Sequence, residues 1–347
     1  MRSRSIDLTR GLATLLMIYG HMLQFFGAPD VFPIERALMH AINLVAFPTF
    51  LFCFGQTTRL AYFSKPFRSV WPRMLRSLLR ILGAYYLSGL GFRLLREHKP
   101  FGPGTVRRVL LLQDIPGWSE FLIAFVLTLL LASALFPLLK RAGGRLWVLL
   151  PAIALAIGLT CLPVERITIP QLSLWIGGTG YAYFPVLVYF PYFLAGVVIE
   201  SRRDRLIASG CAVLLSAVAA FWTARNGLPS RFPPHAMWLL LPAAGVALLS
   251  ALGELLTRLP ERAVRPLHRS LGRIGAQSLY YLLASNLALF TCAGGGIIPR
   301  LSRKGFWPFN LPIQSPAGAL VWSGVLIACI ALTAGLAGRG KAQRAAK

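Results

Sequence analysis

The stretch SIDLTRGLATLLMIYGH, Ser5 to His21, decides the class of this protein. It is apolar enough to enter a bilayer, yet Asp7, Arg10 and His21 are set within it. A membrane span needs about 20 mainly apolar residues, and ionisable groups inside one are costly and point to function by default. At about 100° per residue, the step from Arg10 to His21 makes three turns plus about 20°, so the two share a helix face about 16 Å apart along the axis. Arg10 then sits at one edge of a bilayer and His21 near or beyond its mid-plane. Asp7 lies three residues before Arg10, within pairing range. Each residue also has a plain structural reading. Arg10 can snorkel to headgroup phosphates, Asp7 can cap the helix start, and His21 can be a core imidazole bonded to a neighbouring helix.

The rest of the chain fits a polytopic membrane protein. Of 347 residues, 56% are hydrophobic and 14% charged, and the mean hydropathy is +0.63. Soluble domains average about 45–50% apolar and about 25% charged. The net charge of +25, from 36 Lys and Arg against 11 Asp and Glu, would suggest nucleic acid in a soluble protein. Here the bases cluster between apolar runs, so the expectation is membrane-flanking charge and no nucleic-acid partner. The cysteines Cys53, Cys161, Cys211, Cys292 and Cys329 lie in or beside apolar runs without a CxxC pair, and read as packing residues rather than a disulfide or zinc framework. The first apolar run has Arg10 and His21 inside it and no small-residue cleavage site, so it reads as a permanent span rather than a signal peptide.

Ten apolar runs are long enough to span, near residues 8–28, 36–58, 76–95, 118–138, 146–163, 181–200, 205–223, 236–257, 274–298 and 316–337. The fold class expected is therefore all-α: a polytopic integral membrane bundle of about ten transmembrane helices. Residues 1–340 form a single domain and 341–347 a basic tail. With ten spans, one alternate set of loops and tails holds 24 of the 36 bases and the other 12. The positive-inside rule then puts both termini in the cytoplasm. Two outer loops, Arg96–Glu120 and Ile297–Pro316, mix Pro, Gly, Trp and bases. Trp118 and Trp307 read as interfacial belt residues, with a substrate mouth as the alternative. Glu120 reads as the partner of an outer-loop Arg, with contact to an acceptor as the alternative, and His40 as a packing residue, with a place in the His21 cavity as the alternative. His98, His235 and His268 fall in loops and take no role.

Ten residues separate Arg10 from His21, and this arginine-x10-histidine spacing in the context IDLTRGLATLLMIYGH resembles the opening helix of the acyltransferase 3 family of integral membrane acyltransferases, and equally that of the related heparan-glucosaminide N-acetyltransferase type. FPTFLFCFGQTTRLAYF, Phe47–Phe63, is similar to the family's Phe-rich second helix, with Gly55 as its small residue. Arg73-x-x-Arg76 in RMLRSLLR resembles its second basic motif. YFPYFLAGVVIESR, Tyr189–Arg202, and LGRIGAQSLYYLLASN, Leu271–Asn286, resemble its later helices. The resemblance covers nearly the whole chain. Two departures stand out: Ser285-Asn286 where many relatives end the late helix with His, and Phe54-Gly55 in place of a Ser-Gly pair. They bear on the acceptor rather than on the core reaction.

The resemblance implies transfer of an acyl group, typically acetyl from acetyl-CoA at the cytoplasmic side, to a hydroxyl or amine of a carbohydrate or other cell-envelope acceptor. It implies a multi-pass protein of the cell's inner, cytoplasmic membrane. His21 would be the catalytic imidazole, either as general base or as carrier of the acyl group. Arg10 would orient the donor or His21, with Asp7 fixing Arg10. Arg73, Arg76 and Arg80 make one i, i+3, i+7 stripe suited to CoA phosphates, or else an ordinary positive-inside cluster. No zinc-type His/Glu pairing, Gly-rich phosphate loop or Gly-x-Ser-x-Gly elbow is present, so no metal is expected. The rival functions are a ten-helix transporter or flippase with His21 on a proton relay, and a non-catalytic scaffold that keeps the fold. Asp7, Glu120, Glu200 and Glu254 all fall near the ends of spans, which counts against a mid-membrane proton path. The sequence assigns no oligomeric state.

Overall fold

Ser3 is extended, and the chain turns helical at Arg4 and stays so until Gly27. This first helix, α1 (Arg4–Phe26), is the post around which the molecule is built. A computed structural model describes residues 3–99, 102–178, 184–294 and 315–345, and shows a helical molecule with no strand among them. Pro33 opens α2 (Pro33–Thr58), where its missing N–H costs nothing. A wide turn over Arg59–Phe63 extends α2, and α3 (Phe67–Gly91) follows. After the short α4 (Pro103–Leu110) comes α5 (Glu120–Ala134), apolar almost throughout, which bends by 86° into α6 (Phe136–Ala142). Pro137 sits in the first turn of α6, where it cannot continue the α5 ladder.

Short helices fill the middle of the chain: α7 (Leu149–Thr160), α8 (Pro170–Ile176) and α9 (Val186–Val198). The long α10 (Arg202–Asn226) starts with a capping box between Ser201 and Asp204. It is followed by α11 (Ala236–Leu240), α12 (Ala243–Arg258), α13 (Glu261–Ala276), α14 (Ser278–Ala293) and α15 (Pro316–Ala345).

Helices α2, α12, α13, α14 and α15 all pack on α1. The tightest crossings rest on glycine. A Cβ at Gly55 of α2 would lie 2.0 Å from the Phe193 carbonyl oxygen of α9, and one at Gly196 of α9 would lie 2.0 Å from that of Phe52. A Cβ at Gly275 of α13 would lie 1.7 Å from the Asp7 carbonyl oxygen of α1. Between membrane helices, small residues of this kind replace the hydrophobic drive as the source of close packing. The outer helices show the opposite character. On α10 only Ser216 and Ala219 are buried, while Leu206, Ile207, Val213, Leu214, Val218 and Phe221 face outward. That is the surface expected to meet lipid.

Among the described residues, five helices are long and apolar enough to cross a membrane, and the bent pair α5–α6 makes a sixth. They are Pro33–Phe63, Phe67–Arg96, Arg202–Asn226, Ala236–Arg258 and Pro316–Gly335. The runs expected at 146–163, 181–200 and 274–298 appear as shorter apolar helices, Leu146–Thr160, Val186–Val198 and Ser278–Ala293. The last of these runs is broken at Gln277, which separates α13 from α14. α1 is 23 residues long but is not among the apolar spans, because Arg10, His21 and Gln24 lower its hydropathy. Wrapped by five helices, it does not need a lipid-compatible surface. His268, expected in a loop, lies buried in α13. There its Nε2 donates to the Leu256 carbonyl at 2.6 Å, and its Nδ1 accepts from Arg4 at 3.3 Å.

Candidate active site

Met17, Gly20, His21 and Gln24 form one stripe of α1, spaced at i, i+3, i+4 and i+7. The stripe lines a cavity of about 340 Å³. Ile42, Asn43, Ala46 and Phe47 of α2 make the facing wall, with Gly117, Trp118, Glu120 and Phe121 around the start of α5. Phe184, just before α9, and Arg231 and Phe232, just before α11, close the rim. These residues belong to the end of the bundle where α1 finishes, opposite Arg10.

His21 is buried, with 9% of its surface exposed. Its Nδ1 is 3.0 Å from Oδ1 of Asn286, a fully buried residue of α14. The Asn286 amide nitrogen donates to the Trp118 carbonyl at 3.1 Å. A carbonyl only accepts, so this second bond fixes which way the amide faces. Its oxygen is therefore toward His21, and Nδ1 carries the ring proton. In the neutral imidazole Nε2 then keeps its lone pair, as a base requires. The edge of the imidazole meets Trp118 in a T-shaped contact, with ring centroids 5.2 Å apart.

Trp118 takes an unusual backbone for a bulky residue, with φ at +64°. Such strain persists only when its surroundings over-determine it, and it gathers at functional sites. Here the carbonyl is held by Asn286, the indole lies against His21 and, at 4.5 Å between centroids, against Phe25. The next residue, Ser119, is fully buried and donates to Ser88 at 2.8 Å. Glu120 follows as the first residue of α5 and lines the cavity; its Oε2 is buried without a protein partner among the described residues. The Arg231 guanidinium lies over the rings of Phe232 and Phe184, 4.5 and 5.5 Å from their centroids.

The other expected site residues lie elsewhere. Arg10 donates to the Thr57 hydroxyl of α2, which in turn donates to the Cys53 carbonyl at 2.7 Å. Asp7 lies one turn nearer the N-terminus, where its backbone meets Gly275. Arg73, Arg76 and Arg80 are exposed on α3, and none of them lines the cavity. Arg76 Nε donates to the Pro72 carbonyl at 3.3 Å. His40 is exposed and also outside the cavity. Trp118, expected as a belt residue, is a wall of the cavity instead, while Trp307 lies outside the described residues. Glu120, expected in an ion pair, forms none among the described residues.

Sequence reasoning did not single out Asn286 as a partner of His21, nor Gln24, Asn43 or Arg231. Asn286 was visible as a departure from the family pattern, and an amide inside an apolar helix asks for a partner. That partner is 265 positions away in the chain.

The Arg93 guanidinium is clasped by Glu97 and Asp114, which ties the end of α3 to the loop that carries Trp118. Burial tends to raise the Glu97 carboxyl, but hydrogen bonds from Arg93 and Lys99 outweigh it and hold its pKa below the ordinary value.

A family model, Acyl_transf_3, described as an acyltransferase domain, matches residues 3–338. No curated protein matches the chain.

Proposed function

Because the chain belongs to the acyltransferase 3 family and is a multi-pass membrane acyltransferase, we propose that it moves an acyl group, in the simplest case acetyl, from cytoplasmic acyl-CoA to a hydroxyl or amine of a carbohydrate or other cell-envelope acceptor. The proposal includes ten spans, both termini in the cytoplasm and residence in the inner membrane. The observation that carries it is the His21–Asn286–Trp118 chain of hydrogen bonds, which leaves Nε2 of a buried imidazole as an acceptor.

In this reading the acceptor hydroxyl enters the cavity and gives its proton to His21 Nε2 as its oxygen attacks the thioester carbonyl. The new C–O bond forms, the C–S bond breaks, and the imidazolium returns the proton to the departing CoA sulfur. The acyl-imidazole route uses the same nitrogen as nucleophile. Asn286 keeps the ring in one tautomer and one orientation in either case. On the donor side, Arg10 and the stripe Arg73, Arg76 and Arg80 supply cations for CoA phosphates. The thioester then has to cover the distance of about 16 Å along α1 between Arg10 and His21.

The test uses membranes holding the full chain, given radiolabelled acetyl-CoA. The wild type is expected to transfer label to the envelope fraction, and His21→Ala to lower that rate by about 10²-fold or more. A His21→Ala protein that transfers at the wild-type rate sinks the assignment.

A further inference from the structure

Two oxygens in the cavity stand out by their hydrogen bonding. Gln24 Oε1 and Glu120 Oε2 are both buried and both lack a protein partner among the described residues. Their side chains line the same cavity as His21. Buried polar atoms in native proteins are almost always bonded, and an unmet pair within one cavity calls for a reason. The Gln24 nitrogen is engaged, donating to Asn43 Oδ1 at 2.8 Å, so its oxygen is the group left over. Gln24 is also placed by the helix itself. It lies three positions after His21 on the same stripe, about 4.5 Å further along the axis. Glu120 comes from a different element, α5, and is anchored by the Trp118–Ser119 segment that also holds Asn286.

We propose that Gln24 and Glu120 are the residues that hold and orient the acyl acceptor. Each accepts a hydrogen bond from a hydroxyl flanking the one that His21 deprotonates. The inference rests on the acyl-transfer reading above for the role of His21, but its content is separate: it concerns which atoms of the ligand are recognised. With Glu120 ionised, Gln24 Oε1, Glu120 Oε2 and His21 Nε2 all accept, so the ligand must donate several times from neighbouring positions. A monohydric alcohol meets one of the three. A carboxylate or phosphate presented to Glu120 meets repulsion. The selected ligand is polyhydroxylated and uncharged where it meets this wall.

The experiment uses the full chain in lipid nanodiscs and two probes with the same tail: octyl β-D-glucoside and triethylene glycol monooctyl ether. The ether brings one hydroxyl and otherwise only acceptor oxygens. Equilibrium binding is measured with empty nanodiscs subtracted. A site left with unpaired buried acceptors rejects the poorer ligand, so the wild type is expected to prefer the glucoside by about tenfold or more. Glu120→Ala and Gln24→Leu are each expected to cut that preference to within about threefold. Glu120→Gln keeps the shape and one acceptor oxygen, and is expected to lose about fivefold of glucoside affinity, so it decides the matter if the alanine variant does not fold.

Absence of a preference in the wild type overturns the inference, as does a preference that survives Glu120→Gln and Gln24→Leu unchanged. The two readings also fail separately. A protein that shows the preference but transfers no acetyl label keeps this inference and loses the enzymatic one. One that transfers label without the preference does the reverse.

Discussion

At the scale of single residues, the site depends on what Asn286 does for His21. Replacing it with leucine removes the acceptor for Nδ1–H and frees the ring to turn or change tautomer. Partners that orient a metal-bound imidazole carry about 10- to 100-fold in activity, and Asn286→Leu should lower kcat by about the same factor. The acceptor KM should change little, because Asn286 does not line the cavity. Asn286→Asp, which still accepts from Nδ1, should keep more activity than Asn286→Leu; steady-state kinetics on the purified variants compares them. The same residue shows how far the sequence could be read. The spacing of Arg10 and His21 follows from helix geometry alone, so their shared face and their separation were legible. The His21 partner was not, because nothing local ties position 21 to position 286, or to the left-handed turn at Trp118 that joins them. Periodicity reports which face a residue is on; it does not report what the opposite face belongs to.

At the scale of elements, the crossings of α1 with α13 and of α2 with α9 leave no room for a methyl group. Gly275→Ala would bring a carbon to within 1.7 Å of the Asp7 carbonyl and push α13 off α1. A loss of about 1–3 kcal/mol is expected, as for other overpacked contacts, measured as a lower unfolding temperature in detergent. Gly210 on α10 provides the contrast. Nothing lies within 4 Å of its would-be Cβ, and Gly210→Ala should be neutral or stabilising by up to about 1 kcal/mol through helix propensity alone.

The Arg93 clasp adds a pH dependence. Glu97 has a folded pKa below its ordinary 4.5, so its contribution to stability is present above 4.5 and disappears as pH falls through the lower folded value. Unfolding temperatures measured down through this window should drop in the wild type, and drop less in Glu97→Gln. The elements also explain why the span boundaries read from sequence were uneven. Runs exposed to lipid, such as α10 and α15, must be long and apolar, and they were found within a few residues. Helices enclosed by others, such as α9 and α14, are free of that requirement. Their short lengths and internal breaks then follow local packing, which a hydropathy window does not see.

At the scale of the whole molecule, the cavity and Arg10 lie at opposite ends of α1, so the proposed topology has a direct test. In a cysteine-free background, Ser230→Cys beside Arg231 should react with a membrane-impermeant maleimide added to intact cells. Ser69→Cys, near the start of α3, should react only after the cells are opened. The reverse pattern would invert the molecule and put donor and acceptor on the wrong sides.

The central position of α1 has a further consequence, for the order of assembly. α1 leaves the ribosome before all five described helices that enclose it, and four of them, α12, α13, α14 and α15, are made more than 200 residues later. Until they arrive, Arg10, His21 and Gln24 have nowhere dry and polar to go. This early helix is therefore among the last to settle, and α1 must be held by the insertion machinery while the lipid-facing spans go in ahead of it. Reporter fusions ending just after α1 should integrate poorly, and fusions ending after α15 should integrate fully.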